Sequence, residues 1–166
     1  MSLRHLAALL LCVAVLACTQ PITGRARTDE TTTVPSEQPA LQRAAEKAQA
    51  TLDDFLTKAK QQPAGTSAYA LKVRVQEGRD TEYFWVEEFT WSDGSFMGRI
   101  NNEPRLVKGV KLGQIYSFSR SQVADWKYLD EKNGKTFGNF TACALLSQQP
   151  PAQAEETKRR DGLDCS

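Results

Sequence analysis

The chain has 166 residues, with 21 basic and 20 acidic side chains and a formal net charge of +1 at pH 7. Nucleic-acid binding requires a clustered basic face, and this balance argues against such a partner. The length fits one domain of ordinary size, and the sequence contains no internal repeat that would indicate a second.

Residues 1–17 have the pattern of a secretory signal. A basic start at Arg4 precedes an uncharged run of eleven residues from Leu6 to Leu16. This run is too short to span a bilayer, but it fits the core of a signal peptide. The ending Val-Leu-Ala-Cys resembles a bacterial lipobox, so we expect cleavage before Cys18 and lipidation of its thiol. The alternative is an ordinary signal peptide that is cleaved nearby.

Lipidation would attach the chain to a membrane, since each buried methylene contributes about 0.8 kcal/mol. Thr19 stands where Gram-negative lipoproteins retained in the inner membrane carry Asp. We therefore expect the outer membrane, with the protein facing the periplasm. Cleavage would also remove His5, the only histidine, and leave 20 basic and 20 acidic residues. The sequence thus predicts no cofactor, no metal site and no imidazole chemistry.

The next segment changes from a tether to a helix. Residues 18–36 are rich in Thr, Pro and charge, which predicts a flexible tether with a reach of roughly 25 Å. Between Ser36 and Gln61, apolar residues recur at three- and four-residue steps. This period predicts one amphipathic helix with Ser36 as its N-cap, ended by Pro63 and Gly65.

From Thr66 onward the apolar period falls to two, which indicates β-strands. Strands are predicted at 69–75, 81–91, 95–100, 114–120, 126–129 and 136–146. Short Gly- and Asn-containing turns between several of them predict an antiparallel meander. The predicted fold is therefore α+β, with one N-terminal helix packed on a curved antiparallel sheet of five to six strands. The domain would span residues 37–147.

Residues 148–166 are predicted to form a polar C-terminal tail. Two cysteines, Cys143 and Cys165, remain after Cys12 and Cys18 are assigned to the signal and the lipid. An even pair in an oxidising compartment favours a disulfide, which would tie the tail to the domain and contribute about 3 kcal/mol. Free thiols, or a bond to another protein, are the alternatives.

The chain resembles the YegJ-like bacterial family, known as domain of unknown function 2314. The resemblance rests on a run from Trp91 to Pro104, on the block Asp125-Trp126-x-Tyr128 and on the block Gly138-x-x-Thr141. It implies no established activity. Members look like small accessory domains, sometimes in toxin and immunity gene neighbourhoods.

Three positions depart from the family pattern. Glu82-Tyr83 stands where the family often has Glu-His, which argues against a carried-over role for histidine. Asn139 replaces an expected second Gly, and Cys143 replaces an expected basic residue. The cysteine suits a lineage that has gained a disulfide in the cell envelope.

The sequence offers few groups for catalysis. It contains no nucleophile motif and no P-loop. Glu87-Glu88 and Asp53-Asp54 are acidic pairs, and a hydrolase that uses two carboxylates needs no histidine. However, adjacent residues on a strand point to opposite faces, so Glu87 and Glu88 are not expected to act on one substrate. Asp53-Asp54 is expected on the solvated side of the helix.

Four residues are candidates for binding: Trp85, Asn101, Asp125 and Trp126. Tryptophans form sugar- or peptide-binding platforms, but in a small sheet they are more often core residues. Asp125 is either a ligand contact or the cap of a turn. Asn101 reads first as part of a turn.

Together these observations predict a bacterial envelope lipoprotein with a non-enzymatic binding or accessory domain. We expect a monomer that reaches the membrane through its lipid anchor and has a possible protein partner. One alternative is an inhibitor or immunity-type protein against an envelope-directed toxin or lysozyme-like enzyme. Another is a carboxylate-based hydrolase.

Overall fold

A computed structural model describes residues 38–166 of the chain. The predicted signal peptide, the lipidation site at Cys18, the tether and the N-cap at Ser36 lie outside the described residues. None of the helices formed by residues 38–166 has the length and apolar character needed to span a bilayer.

The described chain begins with two helices, where the sequence predicted one. Helix α1 spans Pro39–Ala50 and helix α2 spans Leu52–Gln61. Thr51 separates them, with a backbone at φ −108° and ψ 5°. Its hydroxyl donates to the carbonyl of Lys47 at 2.8 Å, a back-bond that often bends helices. The prediction of a single helix is therefore wrong at this residue, although its expected end at Gln61 is correct.

The helices are followed by a six-stranded sheet. Its strands are β1 Thr66–Glu77, β2 Asp80–Ser92, β3 Ser95–Ile100, β4 Ile115–Ser119, β5 Val123–Asp130 and β6 Lys135–Gly138. They lie in the order β4-β3-β2-β1-β5-β6, and every neighbouring pair is antiparallel. The prediction of an α+β fold with an antiparallel sheet is confirmed.

One face of the sheet packs against the first two helices and is called here the helix-covered face. Leu71, Val86 and Trp126 are cross-strand partners on this face and are buried. Phe55 of α2 stacks on the Trp126 ring at 4.9 Å between centroids. Residues that alternate with these, such as Lys72 and Trp85, lie on the opposite face, called here the outer face.

Two more helices follow the sheet, and the sequence analysis predicted neither. The last predicted strand, 136–146, ends at Gly138 and continues as helix α3, Phe140–Leu146. Gly138 (φ 78°) and Asn139 (φ 52°) both adopt left-handed backbone conformations, which end the strand. Residues 148–166, predicted as a polar tail, contain helix α4, Pro151–Asp161. Only Ala154 of α4 is buried, so its apolar period is too weak to see in the sequence.

A disulfide joins Cys143 of α3 to Cys165, with 5.6 Å between the two Cα atoms. The predicted pairing is therefore confirmed. The bond holds the C-terminal segment beside β6, where Leu163 forms a parallel bridge with Thr136. Two backbone hydrogen bonds fix this bridge: Thr136 N–H donates to Gly162 at 2.7 Å, and Asp164 N–H donates to Thr136 at 2.9 Å.

Candidate functional site

Asp125 is fully buried in β5, with 0% of its surface exposed. Its Oδ1 accepts hydrogen bonds from the backbone N–H groups of Trp126 (2.8 Å) and Phe140 (3.2 Å). Its Oδ2 accepts from Thr141 twice, from the N–H at 2.8 Å and from the hydroxyl at 2.6 Å. Two of the three backbone donors belong to the first turn of α3. The carboxyl group therefore fastens this helix to the sheet.

Lys72 completes the polar network around Asp125. It is the cross-strand partner of Asp125 on β1, and its Nζ donates to the Thr141 hydroxyl at 3.0 Å. Burial raises the pKa of Asp125 above the ordinary value of an aspartate. The nearby Lys72 ammonium and the hydrogen bonds from Thr141 and Trp126 act in the opposite direction. The four hydrogen bonds from protein donors offset part of the cost of burying this carboxyl group.

Trp85 extends the same row of side chains onto β2, where it is the cross-strand partner of Lys72. Two ammonium groups lie over its ring, Lys72 at 4.9 Å and Lys127 at 4.2 Å from the centroid. Trp85 is 7% exposed, so it offers little aromatic surface to a ligand. We call Lys72, Trp85, Asp125, Lys127 and Thr141 the outer-face cluster.

Trp126 does not belong to this cluster, because it follows Asp125 on the strand and points to the helix-covered face. Its Nε1–H donates to the carbonyl of Ala48 at 3.1 Å and to the hydroxyl of Thr51 at 3.2 Å. Its ring stacks on Phe55 and is 8% exposed. The two candidates that are adjacent in sequence are therefore on opposite faces, and Trp126 occupies a core position.

Gly138, the first residue of the family block Gly138-x-x-Thr141, packs closely against Trp126 of the other block. A Cβ atom at this position would lie 2.2 Å from the carbonyl oxygen of Trp126 and 2.5 Å from its ring. The next residue, Asn139, donates its backbone N–H to the same carbonyl at 2.8 Å. The block Asp125-Trp126 and the block Gly138-x-x-Thr141 thus form a single joint between β5 and the chain that leads into α3.

Asn101, the fourth candidate, is exposed, and its backbone N–H donates to the carbonyl of Trp85 at 2.8 Å. The side chain that reaches Trp85 is the next one, because Asn102 Oδ1 accepts from the Trp85 N–H at 2.8 Å. The hydrogen bonds along β2 therefore continue through Asn102, beyond the end of β3 at Ile100. The sequence indicated the correct turn, but the side chain that contacts Trp85 belongs to Asn102 and not to Asn101.

Glu82 is a second buried carboxylate, and the sequence pattern had not singled it out. This carboxylate is 1% exposed and accepts hydrogen bonds from three successive backbone N–H groups, those of Arg105 (2.9 Å), Leu106 (3.0 Å) and Val107 (3.2 Å). It anchors the loop 101–114 between β3 and β4. The sequence did contain a sign that Glu82 is buried. Glu82, Phe84 and Val86 are two residues apart along β2 and therefore lie on the same, buried face.

One member of each acidic pair, Glu88 and Asp53, is exposed and forms an ion pair with an arginine. Glu88 adopts a left-handed backbone (φ 49°) at a bulge in β2, and its carboxylate binds Arg99 Nε at 2.8 Å. Arg99 is the cross-strand partner of Glu87, so the expectation that Glu87 and Glu88 lie on opposite faces is wrong at this bulge. Asp53 binds Arg120 at 2.6 Å, and this hydrogen bond lowers the pKa of Asp53.

The chemistry available at the outer-face cluster is limited by its own contacts. Both oxygens of Asp125 accept from protein donors, and the Thr141 hydroxyl donates to Asp125 while it accepts from Lys72. Among residues 38–166, no three His, Cys, Asp or Glu side chains are grouped as a metal site would require. The cluster is arranged to hold α3 in place.

Comparison with known proteins gives a consistent family match. Residues 38–165 match the family described as an uncharacterized protein conserved in bacteria (DUF2314). The chain is 29% identical to the uncharacterized protein YegJ of Escherichia coli over 124 residues, which cover 75% of this chain and 78% of that protein. It is 25% identical over 89 residues to a putative ankyrin repeat protein of Neisseria meningitidis, covering 54% of this chain and 34% of that protein. No solved structure matches.

Proposed function

Because the chain belongs to the DUF2314 family of proteins conserved in bacteria, we propose that it is an envelope lipoprotein whose domain binds a protein partner and catalyses no reaction. One observation carries the non-catalytic part of this proposal. The two buried carboxylates, Asp125 and Glu82, are the groups most suited by burial to acid–base chemistry. Both already accept hydrogen bonds from backbone N–H groups of the protein itself. The donors to Asp125 include those of α3, and the donors to Glu82 belong to the loop 101–114.

The exposed apolar residues support a binding surface in one part of the fold. Among residues 38–166, the large hydrophobic side chains that are exposed lie between positions 97 and 115. They are Met97 (49% exposed), Leu106 (39%), Leu112 (48%) and Ile115 (48%). We call β3, β4 and the loop 101–114 between them the β3–β4 surface. Exposed apolar groups that gather in one region mark interaction sites more often than scattered ones do.

Crosslinking in intact cells tests the binding proposal. A photoreactive benzoylphenylalanine is placed at Met97, Leu106 or Leu112 of the full chain, and adducts are resolved by mass and identified. We expect one discrete protein adduct from the β3–β4 surface and none from the matched control position Gln153, which is exposed on α4. The reciprocal experiment, with the photoreactive group on the identified partner, should return this chain. If no position on the described surface gives a discrete adduct, the binding proposal is wrong.

Substitution of Cys18 tests the lipoprotein assignment separately. The proposed anchor consists of acyl chains on this thiol, and without them no other permanent attachment is proposed. We expect Cys18→Ser to move the protein from the membrane fraction to the soluble periplasmic fraction, while Cys12→Ser leaves it in the membrane fraction. A Cys18→Ser protein that stays with the membrane would contradict the assignment.

A further inference from the structure

The two edge strands of the sheet differ in whether another segment of the chain pairs with their outer side. At one edge, β6 is covered by the C-terminal segment, whose Leu163 bridges to Thr136 and which the Cys143–Cys165 disulfide holds in place. At the other edge lies β4, Ile115–Ser119, which pairs with β3 on one side. No described strand of residues 38–166 pairs with its other side. A partner strand can therefore pair with β4 without displacing a strand of the described residues.

The backbone groups that point away from β3 can be identified from the hydrogen-bond pattern. Ile100 N–H donates to the carbonyl of Gln114 at 2.9 Å, so this carbonyl faces β3, and beyond the other end of β4 the Arg120 N–H donates to the carbonyl of Gly94 at 3.3 Å. Groups along an antiparallel strand alternate in direction, so those of Tyr116 and Phe118 also face β3, and those of Ile115 and Ser117 face outward. The Ser119 N–H fits this pattern, because it donates to the side chain of Gln122 at 2.9 Å.

Strand β4 lacks the usual protection of an exposed edge. Natural edge strands carry charged residues, proline or bulges that discourage pairing with another chain. The sequence of β4 is Ile-Tyr-Ser-Phe-Ser, which contains no charge and no proline, and its register with β3 is unbroken over five residue pairs. The strand is consequently an uncharged, regularly paired template for one further strand.

Apolar side chains flank the open edge on the outer face. Ile115 is 48% exposed at the first position of β4, and Met97 is 49% exposed on β3. Met97 is the cross-strand partner of Ser117, so Ile115 is its diagonal neighbour on the same face. An added strand would place every second side chain on the outer face, and one of these would lie next to Ile115. That position favours an apolar residue in the partner.

The charge around β4 indicates the flanks of the partner segment. Residues 104–124 contain four basic residues and no acid. Three of them, Arg105, Lys108 and Lys111, are exposed on the loop before the strand. The fourth, Arg120, follows the strand and is paired with Asp53. Glu103, which is exposed just before this range, is the acid within the loop 101–114, against three basic residues. Glu77 and Glu82 direct their carboxylates to the backbone N–H groups of the loop. Charge complementarity therefore favours an acidic segment.

We infer that β4 binds an extended segment of a partner protein by strand addition, with apolar residues at alternate positions of the segment and acidic residues at the end that lies beside the loop 101–114. Main-chain hydrogen bonds to Ile115 and Ser117 would supply binding energy, and Ile115, Met97 and the flanking cations would supply selectivity. This inference rests on the proposed function, because it specifies how the β3–β4 surface would engage a protein.

A synthetic peptide tests the inference directly. The probe is a nonapeptide with three valines alternating with two threonines and with two acidic residues at each end. It is added to the purified full chain, and amide hydrogen exchange is followed by NMR. We expect slower exchange, by at least about tenfold, at Ile115 and Ser117, and no change at Tyr116 and Phe118, whose amides already face β3. Replacing the acids of the probe with lysines should weaken binding by about tenfold.

Two variants of Ser117 separate strand addition from other modes of binding. Ser117→Pro removes an N–H that points away from β3, a position where an edge strand tolerates proline, so the protein should fold and lose the probe. Ser117→Thr keeps the N–H and should bind as the wild type does. The inference is overturned if the probe fails to bind, if it binds without protecting Ile115 and Ser117, or if Ser117→Pro binds equally well. A cellular adduct with a partner, together with any of these results, would leave the proposed function standing and refute strand addition alone.

Discussion

Replacing Asp125 with alanine is expected to lower the free energy of unfolding by about 3–5 kcal/mol, because it removes the acceptor of four hydrogen bonds in a fully buried site. The N–H groups of Phe140 and Thr141 would lose their acceptor, and Lys72 would lose the nearby carboxyl group. Urea denaturation followed by circular dichroism measures the change. Asp125→Asn should be destabilising as well, since its amide places an NH₂ group against backbone donors.

Asp53→Ala is the matched control for this variant. Asp53 also binds a cation, Arg120, but its side chain is 79% exposed. Solvent screening makes such surface pairs weak, so we expect little change in stability. If Asp125→Ala were as stable as Asp53→Ala, the role assigned here to the buried carboxyl group would be wrong.

Replacing Gly138 with alanine is expected to cost about 3 kcal/mol or more, because the new methyl group would lie 2.2 Å from the carbonyl oxygen of Trp126. The left-handed backbone at φ 78° adds a further penalty for any residue with a Cβ atom. The midpoint of urea denaturation, compared at equal slope, reports the loss.

Gly134→Ala separates the two causes. Gly134 has a similar backbone, φ 62°, but nothing lies within 4 Å of the position that a Cβ atom would occupy. The free energy of unfolding of this control should fall only by the cost of a left-handed backbone at alanine, about 1–2 kcal/mol. Equal losses in Gly134→Ala and Gly138→Ala would show that the contact with Trp126 does not restrict position 138.

The sequence predicted the strands well because their signal is local. In β1, buried Leu71, Val73 and Val75 alternate with more exposed residues, as a period of two requires. The failures occur where one backbone conformation overrides that pattern. The run 136–146 is uncharged and rich in apolar residues, and the left-handed backbones of Gly138 and Asn139 separate its strand from the helix that follows.

The candidate site could be predicted only in part. Asp125 was identified, but its partners are distant in sequence, since Thr141 lies 16 residues away and Lys72 is 69 residues from Thr141. No local pattern reveals which side chains a buried carboxyl group will meet. For Trp126 the sequence left core and binding roles open, and the Nε1–H bond to Ala48 of α1 fixes it in the core.

The central claim is that the two family blocks form one structural joint that fastens α3 to the sheet. A double-mutant cycle with Asp125→Ala and Thr141→Val tests it most directly, with unfolding free energies measured for both single variants and for the double variant. We predict that the double variant loses less than the sum of the single losses, by about 1 kcal/mol or more, because the two residues share hydrogen bonds. Losses that simply add would contradict the claim.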